Sequence, residues 1–153
     1  MFMVLFTILE EEISKGFCEQ ISERYANHNL KRPVYVIQEH HATRLHWDIR
    51  FEINGTLKSW ALPKGVPNGN ERRLAVQVND HPIEYAAFEG TIPKGSYGAG
   101  EVKIFDIGTF KLESYDEKKK IVVSILGKKL QGRYCLLHFK PNEDNWLFFK
   151  VKD

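Results

Sequence analysis

The stretch LHWDIRFEINGTLKSWAL, residues 45–62, decides the fold. Its apolar residues Leu45, Trp47, Ile49 and Phe51 alternate with His46, Asp48 and Arg50. Successive side chains of a strand point to opposite faces, so this period of two describes a strand with one core face and one ionisable face. Asn54-Gly55 follows, the dipeptide best suited to the two positive-φ positions of a type I′ hairpin turn. The sequence therefore predicts a strand at 45–53, a tight turn, and a return strand at 56–62.

Working outward, VYVIQEH (34–40) precedes this pair and RLAVQV (73–78) follows it. Five more strand-like runs come later: EVKIFD (101–106), TFKLES (109–114), KIVVSIL (120–126), RYCLLHF (133–139) and WLFFKV (146–151). Upstream, Leu9, Ile13, Phe17, Ile21 and Tyr25 recur every four residues, which predicts a helix over about 7–25. Thr7 with Glu10 three residues on makes a capping box for it. Asn27–Pro33 and 63–71 read as loops, and 79–100 as a long Gly- and Pro-rich connection with a short helical turn near Glu84–Phe88. Nine short strands and one helix predict a mainly β protein. The expected architecture is a compact antiparallel β-barrel of eight or nine strands, or a sandwich, with an N-terminal α-helix. A chain of 153 residues is expected to form one domain, the helix at about 7–25 and the barrel at about 34–151.

With 42% hydrophobic and 27% charged residues, the composition is that of an ordinary globular chain. The opening MFMVLF is too short to span a membrane, lacks a basic flank and runs into LEEE, so neither a signal peptide nor a membrane segment is expected, and the expected address is cytoplasmic. Cys18 and Cys135 stand far apart and read as reduced thiols. Net charge is +2, but residues 1–30 carry −3 and residues 31–64 carry +3. An anionic substrate would be drawn to the second segment.

That segment holds QEHHATRLHWDIR (38–50). Gln38 and His40 share parity on the first strand, as His46, Asp48 and Arg50 do on the next, about 7 Å apart along the strand. Hairpin pairing would set His40 beside His46 and Asp48. Two imidazoles and a carboxylate suit Zn²⁺, Mn²⁺ or Fe²⁺ and leave positions open for water or substrate. An arginine is no ligand, but it grips phosphate or carboxylate oxygens bidentately, which points to phosphoryl chemistry. A polar strand face can also be merely solvated; Gln38, His40 and the sharply apolar opposite face argue against that here. Downstream, DHPIEY (80–85) offers His81 and Tyr85, although Asp-His-Pro is also good turn chemistry. Lys64 could reach a phosphate or simply face water. IPKGSYGAGEV (92–102) matches neither a Rossmann nor a P-loop pattern and reads as a tight corner at a site rim. Trp60 and Trp146 read as core.

VIQEHHATRLHWDIRFEINGTLKSWALPKG, followed by RLAVQVNDHPIEYAAFEGTIPKGSYGAGEVKIFDIGTF, closely resembles the 3′-phosphoesterase domain of DNA ligase D, the bacterial and archaeal end-joining ligase. The likeness covers about residues 34–110, and KIVVSILGKKLQGRYCLLHFK and NWLFFKVKD also fit the family's end. With no room for ligase or polymerase domains, the chain looks like a stand-alone member. The resemblance implies a β-barrel and a Mn²⁺-dependent enzyme, with Zn²⁺ or Co²⁺ as alternatives. Such an enzyme removes a 3′-terminal ribonucleoside by a phosphodiesterase step and then the 3′-phosphate, leaving a 3′-OH fit for ligation. Carried over by position, His40, His46 and Asp48 look like the metal set. Gln38, Arg50, Lys64, His81 and Tyr85 match the family's other active-site positions. Arg50 would grip the scissile phosphate, His81 would contact phosphate oxygens or protonate the leaving oxygen, and Tyr85 would orient one of them. The implied partners are DNA or RNA–DNA 3′ ends and a separate ligase and polymerase, with no membrane and a monomeric state. Two departures stand out: Lys94 occupies a position where the family usually has an acid, and MFMVLFTILEEEISKG does not align with the family's N-terminal segment. The alternatives are a non-catalytic DNA-end-binding barrel and, more remotely, a cupin-like metal enzyme, whose glycine-flanked histidine pattern is missing.

Overall fold

The computed structural model describes residues 19–96, 98–140 and 142–152. Nine strands appear: β1 (Val34–His41), β2 (Leu45–Ile53), β3 (Thr56–Leu62), β4 (Arg73–His81), β5 (Gly90–Ile92), β6 (Gly100–Asp116), β7 (Lys120–Gly127), β8 (Gln131–His138) and β9 (Asn145–Lys150). All pairings are antiparallel, in the order β1-β2-β3-β4-β9-β8-β7-β6, and β1 pairs with β6 to close the barrel. Strand β5 adds on outside, against the start of β6. The expected barrel is therefore the observed one.

The Asn54-Gly55 turn forms as its chemistry dictates, with φ of 54° and 80°. That two-residue loop fixes the register of β2 on β3, placing Arg50 opposite Ser59 and Asp48 opposite Ala61. On the other side, His40 lies directly opposite His46, and Gln38 opposite Asp48.

The barrel interior is filled by the apolar positions of these strands. Tyr35, Ile37, Ile49, Phe51, Trp60, Leu62, Trp146 and Phe148 are fully buried there, with Trp60 and Trp146 edge to face at 5.6 Å. The opposite parity of β1 faces outward into a second, smaller core. Val34, Val36 and Leu57 meet Ile21 of the helix, Tyr85 and Phe88 there. A 3-10 turn (Ile83–Ala87) and β5 belong to this outer layer. Arg24 clasps it, donating to the Ala87 carbonyl at 2.6 Å and to Glu89 at 2.9 Å, while Glu89 also accepts from the Ile104 amide.

Several boundaries differ from expectation. The runs 101–106 and 109–114 form one strand, because Gly108 lets β6 press against β7 rather than ending it. A Cβ there would strike the Leu126 carbonyl and lie 2.9 Å from Gly127 Cα. A bulge at Phe105 swings Asp106 into a buried pocket. Its carboxylate accepts from Tyr35 Oη and from the amides of Ile107, Lys128, Lys129 and Leu130, pinning the β7–β8 turn. Strand β4 runs on to His81, which pairs with Leu57, so His81 ends a strand instead of lying in a loop. Strand β5 was not expected; three residues are too few to show periodicity. The described helix covers residues 19–28 and closes at Asn29, whose positive φ of 49° suits a helix C-terminus. Thr7, Leu9, Glu10, Ile13 and Phe17 lie outside the described residues, as does Cys18. Among the described residues no helix is long and apolar enough to cross a membrane.

Candidate active site

His40, His46, Asp48 and Arg50 project from the outward parity of β1 and β2, beneath the 3-10 turn and the Gly-rich corner. They line a cavity of about 240 Å³ together with His81 and Tyr85. This polar strand face is not a solvated one. Asp48 is 5% exposed and Arg50 3%, because the outer layer covers them.

Three ligand-type atoms converge. His46 Nε2 lies 3.2 Å from His40 Nδ1 and 3.3 Å from Asp48 Oδ2, and the third side of the triangle is 3.7 Å. Ligands held about 2.0–2.2 Å from a common ion lie roughly 3.0–3.6 Å apart, so the set fits one cation. The tautomers fit as well. His40 Nε2 sits 2.8 Å from the Gly98 carbonyl, and His46 Nδ1 sits 3.0 Å from the Arg44 carbonyl. A carbonyl can only accept, so each ring places its proton there and, when neutral, turns a lone pair toward the other ring and toward Asp48. Lone pairs at 3.2 Å repel unless a cation or a proton lies between them. These three residues form the one group of metal-ligating geometry among the described residues.

Burial alone would push the Asp48 carboxyl up. The Arg50 guanidinium, with the two imidazoles, more than offsets this and holds it well below the usual carboxylate range. His46 is raised, first by its contact with Asp48 and against the opposing effect of burial.

Arg50 is held on every side. Its Nε donates to Gln38 Oε1 at 2.7 Å, Nη1 to Ser59 Oγ at 2.9 Å, and Nη2 faces Asp48 Oδ2 at 3.4 Å. Its guanidinium carbon lies 5.1 Å from the centre of the Tyr85 ring. His81 Nδ1 lies 3.1 Å from Arg50 Nη1 and 3.0 Å from the Asn79 carbonyl. The guanidinium can only donate and the carbonyl can only accept, so Nδ1 serves one of the two at a time, and the tautomer of the ring decides which. Burial first, then Arg50, lowers His81 to about 3. Burial pushes the Tyr85 phenol up to about 12. The two rings lie 4.8 Å apart.

Of the residues singled out from sequence, the fold gathers His40, His46, Asp48, Arg50, His81 and Tyr85 around one cavity. Gln38 is drawn in but has no exposed surface. Its amide nitrogen donates to the Tyr85 and Phe88 carbonyls while its oxygen receives Arg50, so it positions the arginine and does not line the cavity. Lys64 is exposed in the turn after β3, outside the cavity lining, and Lys94 is exposed on the corner before β6. The Gly-rich corner does shape the rim, through Gly98. Ser59 was missed. The hairpin arithmetic of Asn54-Gly55 places it opposite Arg50, and a small hydroxyl on that face was the available signal.

The sequence that builds this site is similar to known proteins. Residues 38–138 match the family model described as DNA Ligase D 3′-phosphoesterase domain. The chain belongs to that family. It is 47% identical over 130 residues to the multifunctional non-homologous end joining protein LigD of Mycolicibacterium smegmatis, covering 78% of this chain and 17% of that protein. It is 46% identical over 124 residues to the LigD repair protein of Mycobacterium tuberculosis, covering 78% and 16%. With the Pseudomonas aeruginosa LigD it shares 45% over 126 residues, covering 78% and 15%. The match thus spans about one sixth of the length of these relatives.

Proposed function

We propose that this chain is a metal-dependent 3′-end phosphoesterase that removes 3′-terminal ribonucleosides and 3′-phosphates from DNA or RNA–DNA strands. The product is a 3′-OH fit for ligation in an end-joining repair system. The observation that carries the reading is the convergence of His40, His46 and Asp48 on one point, with Arg50 on the same cavity wall.

His40, His46 and Asp48 would hold a divalent cation, Mn²⁺ in the first instance and Zn²⁺ or Co²⁺ as alternatives. When bound, it supplies Lewis-acid polarisation of a phosphoryl oxygen and lowers the pKa of a coordinated water. The rest belongs to the protein. Without a cation, neutral imidazoles, Asp48 and Arg50 sum to no net charge, so cation binding turns the cavity into an anion trap. Arg50 is already oriented by Gln38, Ser59 and Asp48, so it can meet phosphate oxygens with little reorganisation. His81, neutral at physiological pH, serves as a hydrogen-bond donor to a phosphoryl or leaving oxygen rather than as a store of a full proton. Tyr85, kept protonated, packs His81 and Arg50 in place.

The test offers two primer–templates to the purified protein, one ending in a 3′-phosphate and one in a 3′-ribonucleotide, with and without Mn²⁺. The reading requires conversion of both to a 3′-OH only with the metal. Tight DNA-end binding without turnover under any divalent ion would make the chain a non-catalytic end binder instead.

A further inference from the structure

Outside the metal cavity, a concavity with cationic walls lies at one end of the barrel. It measures about 570 Å³, ample for one nucleotide, and is lined by Val66, Asn68, Phe105, Lys129, Tyr134 and Lys150 among others. Four separate segments build it: the β3–β4 loop, the β6 bulge, the β7–β8 turn with the start of β8, and the end of β9. Asp106, next to the bulged Phe105, fixes Lys129 and Leu130 through their amides, so the ring and the lysine are held in one frame.

The chemistry of the walls is uniform. Lys129 Nζ lies 4.0 Å over the Phe105 ring, and Lys150 Nζ 6.0 Å from the Tyr134 ring centre. No carboxylate lines the cleft among the described residues, and neither lysine makes an ion pair among them. Two ammonium groups parked on aromatic faces, neither in an ion pair among the described residues and with the nearby Glu71 carboxylate engaged by the Asn68 amide, suit a ligand with a planar part and an anionic part. An exposed cation–π contact is weaker than a base stacked on an aromatic ring, so a base can take the ring while the displaced lysine turns to phosphate.

We propose that this cleft is a second nucleic-acid subsite, where a base of a single-stranded segment stacks on Phe105 while Lys129 and Lys150 hold its flanking phosphates. This rests on the nucleic-acid reading of the metal cavity and extends it. Both sites have residues at the end of the barrel that carries the β1–β2 turn and the β3–β4 loop. His40 faces His46 next to the β1–β2 turn, and Trp47 on the neighbouring strand pair meets Leu62, where the β3–β4 loop begins. Gly65 of that loop lies against Trp47, the residue before Asp48. A strand with its 3′ end in the cavity can cross this rim to reach the cleft.

The experiment uses the full chain and a Lys129→Ala/Lys150→Ala variant, with Phe105→Leu as a companion that keeps bulk but removes the ring. Fluorescence anisotropy would follow binding of labelled single strands of increasing length, of dAMP as competitor, and their salt dependence. Hydrolysis of bis-p-nitrophenyl phosphate would read the metal cavity alone. Expected are a roughly tenfold weaker affinity for long strands in the double variant, and a log–log salt slope shallower by about 1.4. Hydrolysis of the small ester and the melting temperature should be unchanged. A 2-aminopurine placed in the strand should lose its quenching in Phe105→Leu. Unchanged long-strand affinity in both variants would overturn the subsite, and so would dAMP competing as well as a strand. A wild type that hydrolyses no phosphate ester would instead sink the cavity reading, while the binding arms still decide the cleft.

Discussion

His40 Nδ1 and His46 Nε2 face each other at 3.2 Å, and the far nitrogen of each ring is committed to a backbone carbonyl. In neutral rings this leaves two lone pairs and the Asp48 carboxylate aimed at one point, an arrangement that a cation relieves. Metal binding should therefore compete with protons. Affinity for Mn²⁺ should fall as pH drops through the raised pKa of His46, with about one proton displaced per ion near that pH. Calorimetry in buffers of different ionisation enthalpy measures this. His46→Ala should cost at least ~100-fold in affinity.

Arg50 and Asp48 depend on each other. Both are buried, so deleting either strands a charge. Arg50→Ala should destabilise by roughly 3–5 kcal/mol, and Asp48→Ala similarly. Asp48→Asn is the better probe of chemistry, since it removes the ligand charge with less structural damage. Arg50→Lys keeps the charge but loses the fork to Gln38 and Ser59. It should lower kcat by about 10²–10³ with a smaller change in melting temperature. Chemical denaturation and steady-state kinetics on the same preparations separate the two effects.

The Asp106 carboxylate stabilises the fold without lining the metal cavity. Five donors converge on it, four of them backbone amides. Asp106→Ala should cost roughly 3 kcal/mol or more by leaving these groups unsatisfied, measured by urea unfolding. Turnover per folded molecule should persist.

His138 offers a pH effect remote from the site. Its Nδ1 lies 2.7 Å from the Lys118 carbonyl and its Nε2 2.6 Å from the Glu143 carbonyl, so both nitrogens must donate and the ring is held as imidazolium. The Glu143 carbonyl is the main cause of its raised pKa. A raised folded pKa means the stabilisation is fully present below the unfolded value near 6.5 and is lost as pH rises through the folded one. The stability difference between wild type and His138→Ala should be largest at pH 5–6 and shrink above that. NMR titration of the ring should show a pKa above the ordinary histidine range.

Much of this architecture was legible in residues 34–62. The alternation of Trp47, Ile49 and Phe51 with His46, Asp48 and Arg50 gave the face assignment, and Asn54-Gly55 gave the register. What the pattern could not give was the second core. Outward-facing Val34, Val36 and Leu57 bury themselves only because a helix, a 3-10 turn and three residues of β5 come back over them, which is a long-range event. Hence Gln38 and Arg50 looked like surface groups and are interior ones. Trp47, expected in the core, is half-buried at the barrel end, bonded to Glu39. Trp47→Ala should therefore cost less than the ~3–5 kcal/mol expected for Trp60→Ala. The runs 101–106 and 109–114 join into one strand through Gly108, whose missing Cβ lets two strands approach.

The central claim is that two imidazoles and one carboxylate take up a single ion. Crystals grown with Mn²⁺ and measured for anomalous scattering address it most directly. The account requires one strong peak within about 2.0–2.3 Å of His40 Nδ1, His46 Nε2 and an Asp48 oxygen, absent in Asp48→Asn. A peak elsewhere, or none at saturating Mn²⁺ while phosphoesterase turnover proceeds, would contradict it.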